Sequence, residues 1–577
     1  MFSKKYIHST LVWLLFLNSL IISAQNSNDK LTYCNPVNLN YRFCLDEPSR
    51  REAADPVIVN FKGEYFLFAS KSGGYWYSSN LVDWNFVTTP DLPIEDYAPA
   101  AVVINDEIYF TASTNGDKVP VIYKSAKPKT GRWEVVNSNF PIQNVDPDLF
   151  LDDDGRLYLY YGCSNIEPLY AVELDRTTFM PIGEPVACMN ADIENNGWER
   201  PGDYNERSER PWTEGAWMTK FNGKYYLQYS TPGTEFRSYA DGMYVADNPL
   251  GPFKLSEYNP FSYRPSGFAT GAGHSATFQD NYGNYWHISS TTISVKHKFE
   301  RRLSLFPVFF NEDGYAYTYT GFGDYPISIP QRKIENEEDY LSGWMLLSYN
   351  KKVTASSSLP EYGVEKSVDE NIRTYWSAKD GKKGQWLQVD LEDVYTVNAV
   401  QLNFAEHTTT ILGRDPGIYY QYMLEYSTDG KTWQVLADKT KNKEDAPHDY
   451  IVVQNPVKAR YVRVKNYHTP SGTFAMSGFR VFGNGSGAKP AAVTTITAER
   501  QTDNNCSVKL NWEKIENTTG YNIRYGTAPD KLFLNYQVYG DNHIQINSLS
   551  KKQNYYFVVD SFNENGITKG STISEIK

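Results

Sequence analysis

Three acidic residues stand apart in this 577-residue chain, because each opens a short apolar run straight after a turn. They are Asp55 in Ala54-Asp55-Pro56-Val57, Asp146 in Val145-Asp146-Pro147-Asp148, and Glu214 in Thr213-Glu214-Gly215-Ala216-Trp217. Cleaving a glycosidic bond needs one carboxyl that keeps its proton for the leaving oxygen and one carboxylate that activates water or attacks the sugar. Negative neighbours raise the pKa of the first, while hydrogen bonds keep the second ionised. Glu214 has the longer reach and an apolar neighbour in Trp217, which makes it the acid. Asp55 becomes the base, and Asp146 the group that tunes and orients the acid. Alone, an Asp-Pro pair is an ordinary turn opener. Here it is the recurrence that argues for chemistry. His274, in Gly273-His274-Ser275, stands at a further copy of the same position, where a channel-lining imidazole holds a water or a hard cation.

Such groups act together only if the fold brings them together, and the repeat that carries them shows how. Five hairpins recur between residues 55 and 320, each a polar turn followed by an aromatic strand: Lys62-Gly63-Glu64-Tyr65, Asn105-Asp106-Glu107-Ile108, Asp154-Gly155-Arg156-Leu157, Asn222-Gly223-Lys224-Tyr225 and Tyr282-Gly283-Asn284-Tyr285. A short apolar strand precedes each hairpin and another strand pair follows it. Four strands per repeat describe a propeller blade. The inner strands of such a ring begin around one channel, so Asp55, Ala98, Asp146, Glu214 and the Gly273-His274 pair are expected to converge there. The alternative is an irregular β-sandwich, which gives no reason for the entry residues to recur.

Beyond Pro330 the pattern changes. Residues 345–484 read as a β-sandwich with strands such as Gln385 to Leu391 and Ala459 to Val464, and the Gly/Ser/Ala/Pro linker Asn484 to Pro490 leads to a last unit at 491–577. In that unit Leu549, six residues before Tyr555, suits the tyrosine corner of an immunoglobulin-like sandwich. The fold class is therefore all-β: a five-bladed propeller over 25–335 followed by two sandwiches.

Composition narrows the function classes. Aromatic residues make up 15%, with 45 Tyr and 13 Trp, offering flat faces to sugar rings. The formal charge of -12 comes without any long basic run, which argues against nucleic acid as a partner. Lys4-Lys5, an apolar run from Leu11 to Ile22 and Ser23-Ala24 read as a signal peptide over 1–24, and no other run is long enough for a membrane span. The expectation is a soluble monomer, periplasmic or extracellular. Five Cys leave at least one unpaired, and Cys34 with Cys44 is the candidate bridge.

The segments around Asp55, Asp146, Glu214 and Gly273-His274-Ser275, four motifs in order over about half the chain, resemble the signatures of family 43 glycoside hydrolases. That resemblance implies an inverting mechanism with Asp55 as base, Asp146 as pKa modulator and Glu214 as acid. It also implies a calcium or other ion near His274. Tyr97-Ala98-Pro99-Ala100 departs from the family's usual Trp-Ala-Pro, which places Tyr97 in the sugar pocket's wall. The charged insertion from Met189 to Trp212, with Trp198, is expected to close one end of the pocket. Trp217, Trp198, Tyr97 and His274 are thus the candidate substrate-binding residues. The middle unit is similar to discoidin (coagulation factor 5/8 type C) domains, whose calcium loop would correspond to Asp369 and Thr374, with Gly478 where a Glu ligand is usual. The last unit resembles a fibronectin type III domain, read as a spacer. The expected activity is exo-acting hydrolysis of terminal furanose or pentose sugars from an oligo- or polysaccharide, α-L-arabinofuranosidase first, then β-D-galactofuranosidase or β-xylosidase. The alternatives are an endo-arabinanase and a non-catalytic glycan-binding protein.

Overall fold

The computed structural model describes residues 30–114 and 118–577, so the signal-peptide reading lies outside the described residues. Strand occupies 45% of the chain and helix 3%. Five antiparallel meanders follow one another, four of them four-stranded and the fourth in order carrying an extra short strand at Ser262–Tyr263: blade 1 begins at Ala54–Phe61, blade 2 at Pro99–Ile104, blade 3 at Asp148–Leu151, blade 4 at Glu214–Phe221 and blade 5 at Gly273–Gln279. Each predicted hairpin forms the turn between the first two strands of its blade, as in Phe61↔Glu64 and Ile104↔Glu107. The first strands of blades 1, 2 and 5 are buried almost continuously, without the alternation of a half-exposed strand, because neighbouring blades cover both faces. The ring closes where blade 5 meets blade 1: Asp55 N donates to Ser290 Oγ at 2.9 Å.

The middle sandwich is built on two long strands, Trp386–Phe404 and His448–His468, paired through Leu387↔Val464 and Val389↔Val462 around a core containing Trp376 and Phe474. It meets the propeller through buried ion pairs. Arg51 lies between Glu406 and Asp445, and Arg480, paired with Glu370 inside the sandwich, donates across the boundary to Asp324 O at 2.6 Å. Stripping one partner from such a pair leaves a buried charge, at a cost of about 3–5 kcal/mol.

In the last unit the sheet Ile496–Arg500, Val508–Trp512, His543–Ile546 faces a sheet built on Gly520–Gly526, Leu534–Tyr539 and Tyr555–Asn563. Its tyrosine corner is formed by Ser550 N, which donates to the Tyr555 hydroxyl at 3.0 Å. The unit is not a spacer. Tyr258, Tyr263 and Tyr317 of the propeller share one core with Tyr521, Tyr525 and Tyr536, and Tyr317 stacks on Phe533 with centroids 3.7 Å apart. The aromatic side chains read from composition as sugar platforms serve here to weld two domains. The expected Cys34–Cys44 bridge is absent: both thiols are buried and free, Cys34 donating to Asp324 O and Cys44 to Glu52.

Candidate active site

Each inner strand begins with a left-handed residue that turns the chain into the channel: Asp55 (φ 50), Ala98 (φ 41), Asp146 (φ 48), Gly215 (φ 60) and His274 (φ 41). This corrects the register read from sequence. Gly215 is the residue equivalent to Asp55, and Glu214 stands one place earlier, level with Ala54 and Gly273, as Ala54↔Ser70, Glu214↔Ser230 and Gly273↔Ser290 show. A bulge follows each of these pairs. The offset explains why blade 4 uses Glu and not Asp, since the extra methylene carries the carboxyl into the funnel from one residue further back. It also explains Gly215: a Cβ there would sit 2.7 Å from Ser230 Oγ and 3.0 Å from the His274 ring.

The three carboxyls surround one imidazole. His274 Nδ1 lies 3.2 Å from Asp55 Oδ1, 3.8 Å from Asp146 Oδ2 and 4.0 Å from Glu214 Oε1. A second repeat, missed in the sequence, supports them. At or within two residues of the end of the second strand of each blade stands Ser70, Ser113, Cys163, Ser230 or Ser290, and these side chains bind the entry residues. Ser70 Oγ donates to Asp55 Oδ2 at 2.6 Å, Ser113 Oγ to Asp146 Oδ1 at 3.1 Å, and Cys163 Sγ to Glu214 Oε2 at 3.2 Å. The hydroxyls also accept backbone N–H groups from Ala98, Asp146, His274 and Asp55. The recurring small residue after each aromatic strand was the available signal.

Two further groups were missed. Arg301 Nη1 donates to Asp55 Oδ1 at 2.8 Å while its Nη2 donates to Glu52 at 2.8 Å, and the Tyr239 hydroxyl donates to Glu214 Oε1. Arg301 opens a strand that is otherwise mostly apolar, which marks it in retrospect. Burial favours a neutral Asp55, but Arg301 first, then His274 and Ser70, outweigh it and hold the carboxyl below its usual range. Asp146 goes the other way: burial first, then Glu214 and Asp55, raise it to about 7 against the opposition of His274. Burial lowers His274, yet the three carboxylates overcome it and hold the imidazole above its ordinary value. One side of the funnel therefore carries a fixed negative charge while the other keeps a proton near neutral pH.

Tyr97 stands at the rim, its ring 5.9 Å from Phe299 and beneath the Arg301 guanidinium. Two other candidates are not at the site. Trp198 is fully buried between blades 3 and 4 against Tyr229 and Gly242. Trp217 points away along the blade seam and donates to Thr277 O at 3.0 Å, because the bulge after Glu214 turns it outward. The 189–212 insertion docks Gly197 under the last sandwich, where Gly197 N donates to Leu549 O, and its Asp203, Glu206 and Arg207 line a cavity with Glu235, Phe236 and His297.

Ligand atoms of Asp146, Glu214 and His274 lie within 4.8 Å of one another. Calcium takes six to eight oxygens at 2.3–2.6 Å, whereas this group offers one nitrogen and two carboxylates that the acid–base reading already employs. The set does not fit a protein-ligated calcium. In the middle sandwich, Thr374 bonds Asp369 at 2.5 Å, and a Cβ on Gly478 would meet the Phe268 ring at 2.7 Å. A propeller side chain fills the place of the expected Glu.

Residues 49–316 match the model of "Glycosyl hydrolases family 43", and residues 352–478 match "F5/8 type C domain". A xylosidase/arabinosidase of Bacteroides ovatus is 32% identical over 258 residues, 35% of this chain and 75% of its own. A β-D-galactofuranosidase of Aspergillus niger is 28% identical over 268 residues, 40% of this chain and 72% of its own. A β-xylosidase of Xylanibacter ruminicola is 33% identical over 132 residues, and the match spans 19% of this chain and 39% of that protein's length. A solved thermostable family-43 glycoside hydrolase gives a TM-score of 0.42 at 21% identity, over 53% of this chain and 99% of that one. The blade assignment rests on the five sheets themselves.

Proposed function

We propose, from the premise that the chain belongs to the family 43 glycosyl hydrolases and carries an F5/8 type C domain, that it is an exo-acting, inverting hydrolase of terminal furanose or pentose sugars. The observation that carries this reading is the convergence of Asp55, Asp146 and Glu214 on His274 in opposed electrostatic settings. Asp55, held ionised by Arg301, takes a proton from water as the water oxygen bonds to the anomeric carbon. Glu214 gives its proton to the glycosidic oxygen as the old bond breaks. Asp55 ends protonated and Glu214 ionised, and exchange with solvent resets both. Asp146 orients and tunes the acid, and His274 holds the three carboxyls around one point. No step in this sequence runs through an ion.

The names of the relatives support arabinose, β-D-galactofuranose and β-xylose as the sugars to test. Export to the periplasm or exterior, a monomeric state and a fibronectin type III identity for the last sandwich belong to the same proposal. Incubating the protein and its Glu214→Gln variant with aryl glycosides of these sugars, and with branched arabinan, arabinogalactan and xylan, tests the reading. One monosaccharide released by the wild type and lost in the variant supports it. A ladder of oligosaccharides would instead give an endo-arabinanase, and binding without release a glycan-binding protein.

A further inference from the structure

The loop 232–239, between the second and third strands of blade 4, touches both ends of the catalytic pair. Thr234 Oγ1 accepts from Arg301 Nη1 at 3.2 Å, and the same nitrogen holds Asp55. Five residues on, the Tyr239 hydroxyl donates to Glu214. The placement of this one loop therefore bears on base and acid together.

The loop is held from two sides by alternate residues. On the inside, Thr292 Oγ1 donates to Thr234 O and Phe236 O, and Ala272 N donates to Tyr239 O. On the outside, the hold comes from the discoidin-like domain. Arg373 Nη2 donates to Glu235 O at 3.0 Å and its Nη1 to Asp203 Oδ2 at 2.8 Å. Asp203 Oδ1 in turn accepts from Arg237 N at 2.9 Å, and Arg237 Nη2 returns to Asn371 Oδ1 at 2.8 Å. Thus Asn371 and Arg373 close a polar ring over Glu235 and Arg237. They have a firm base, since the neighbouring Glu370 is buried in its pair with Arg480, and Ile372 packs with Phe268.

We infer that Arg373 is a positioning residue for the hydrolysis: through the 232–239 loop, the discoidin-like domain sets the placement of Thr234 and Tyr239, and so of Asp55 and Glu214. The segment that resembles a calcium loop has become a clamp on the catalytic domain. The guanidinium is suited to this because one planar group reaches a carboxylate and a carbonyl at once, which an ammonium does not do in the same geometry. Misplacement of catalytic groups by even an ångström is costly in rate.

This inference rests on the hydrolase reading, and its test keeps the two apart. The full-length wild type, Arg373→Ala, Arg373→Lys and Arg414→Ala are compared. Arg414 serves as the control: it belongs to the same domain interface but binds Asn40 O and Ser72 O and stacks on Phe86, away from the loop. Two readouts are taken, steady-state kinetics on the best aryl glycoside and amide hydrogen exchange of 232–239. We expect Arg373→Ala to lower kcat roughly tenfold or more with KM within about twofold, and to raise exchange at Arg237 and Tyr239. Arg373→Lys recovers part of both, and Arg414→Ala changes neither. An Arg373→Ala enzyme with wild-type kcat overturns the inference, as does an Arg414→Ala enzyme that behaves identically. Should the wild type release no sugar, the hydrolase reading fails, and exchange alone decides the clamp: an unchanged pattern in Arg373→Ala rejects it.

Discussion

Asp55 and Glu214 stand at two entries of the same ring, 3.2 and 4.0 Å from the same imidazole nitrogen, and their surroundings differ in kind. Asp55 is enclosed by a guanidinium and a serine hydroxyl, which favour its charge, and its backbone N is tied to Ser290 of blade 5. Among the described residues, Glu214 has no cation beside it other than the shared His274. Its oxygens accept from a tyrosine hydroxyl and a thiol, and its neighbour Asp146 keeps a proton near neutral pH. The same backbone device, repeated five times, thus holds carboxyls of opposite role, and the difference comes from what the later strands deliver to each entry.

The largest effect is expected at the base. Asp55→Asn removes the proton acceptor, and kcat is expected to fall about a thousandfold while Tm also falls, because Arg301 loses one of its two buried carboxylates, read by steady-state kinetics and calorimetry. Arg301→Met should lower kcat about a hundredfold, the lower end of acid–base effects, and destabilise by about 3–5 kcal/mol, since Asp55 and Glu52 are left buried without their cation. Its pH profile has a definite sign. Arg301 keeps Asp55 ionised to lower pH, so without it the acidic limb of kcat/KM moves to higher pH. An unmoved limb would mean that Arg301 does not set the base.

On the acid side the expected effects are smaller. Tyr239→Phe deletes one of two donors to Glu214 and should cost up to about tenfold in kcat, in keeping with one lost hydrogen bond. Cys163→Ser restores the residue type found at the other four seams and should change kcat by less than about threefold, since one donor replaces another. A collapse of activity in Cys163→Ser would show that the thiol is specifically required.

Stability has its own pH dependence. Asp146 and Asp241 are raised to about 7 and Asp148 to about 8, each chiefly by burial. Carboxyls raised in the fold contribute stability below their ordinary value near 4 and lose it as pH climbs through 7–8. Tm should therefore decline between pH 5 and 8, the sign opposite to that contributed by Asp55, whose depressed pKa costs stability only in acid. Asp148→Asn, which still accepts from Met218 N, should make the decline shallower. A thermal melt series at fixed ionic strength measures both.

Much of this was legible in the residues. The hairpin repeat gave the blades, since a polar turn before an aromatic strand dictates a local hairpin wherever it falls in the chain. Asp55, Asp146 and His274 were found because they recur at the blade entries. Trp198 and Trp217 misled because an exposed aromatic platform and a buried packing residue share one side chain. Their fates depend on the Gly242 strand and on the bulge after Glu214. Arg301 and Tyr239 were missed because each reaches its carboxyl from a strand or loop whose alignment with the entry is set by the register of the whole blade.

By itself, the sequence determined the all-β class, the five repeats and the carboxyls at their entries, because these follow from local turn chemistry and periodicity acting over a few residues. Only the tertiary structure decided which carboxyl is kept charged and which site keeps a proton, because burial and the nearest cation are set by chain segments far apart in sequence. Closure of the ring brings Arg301 to Asp55, and docking of the discoidin-like domain brings Arg373 to the loop above them.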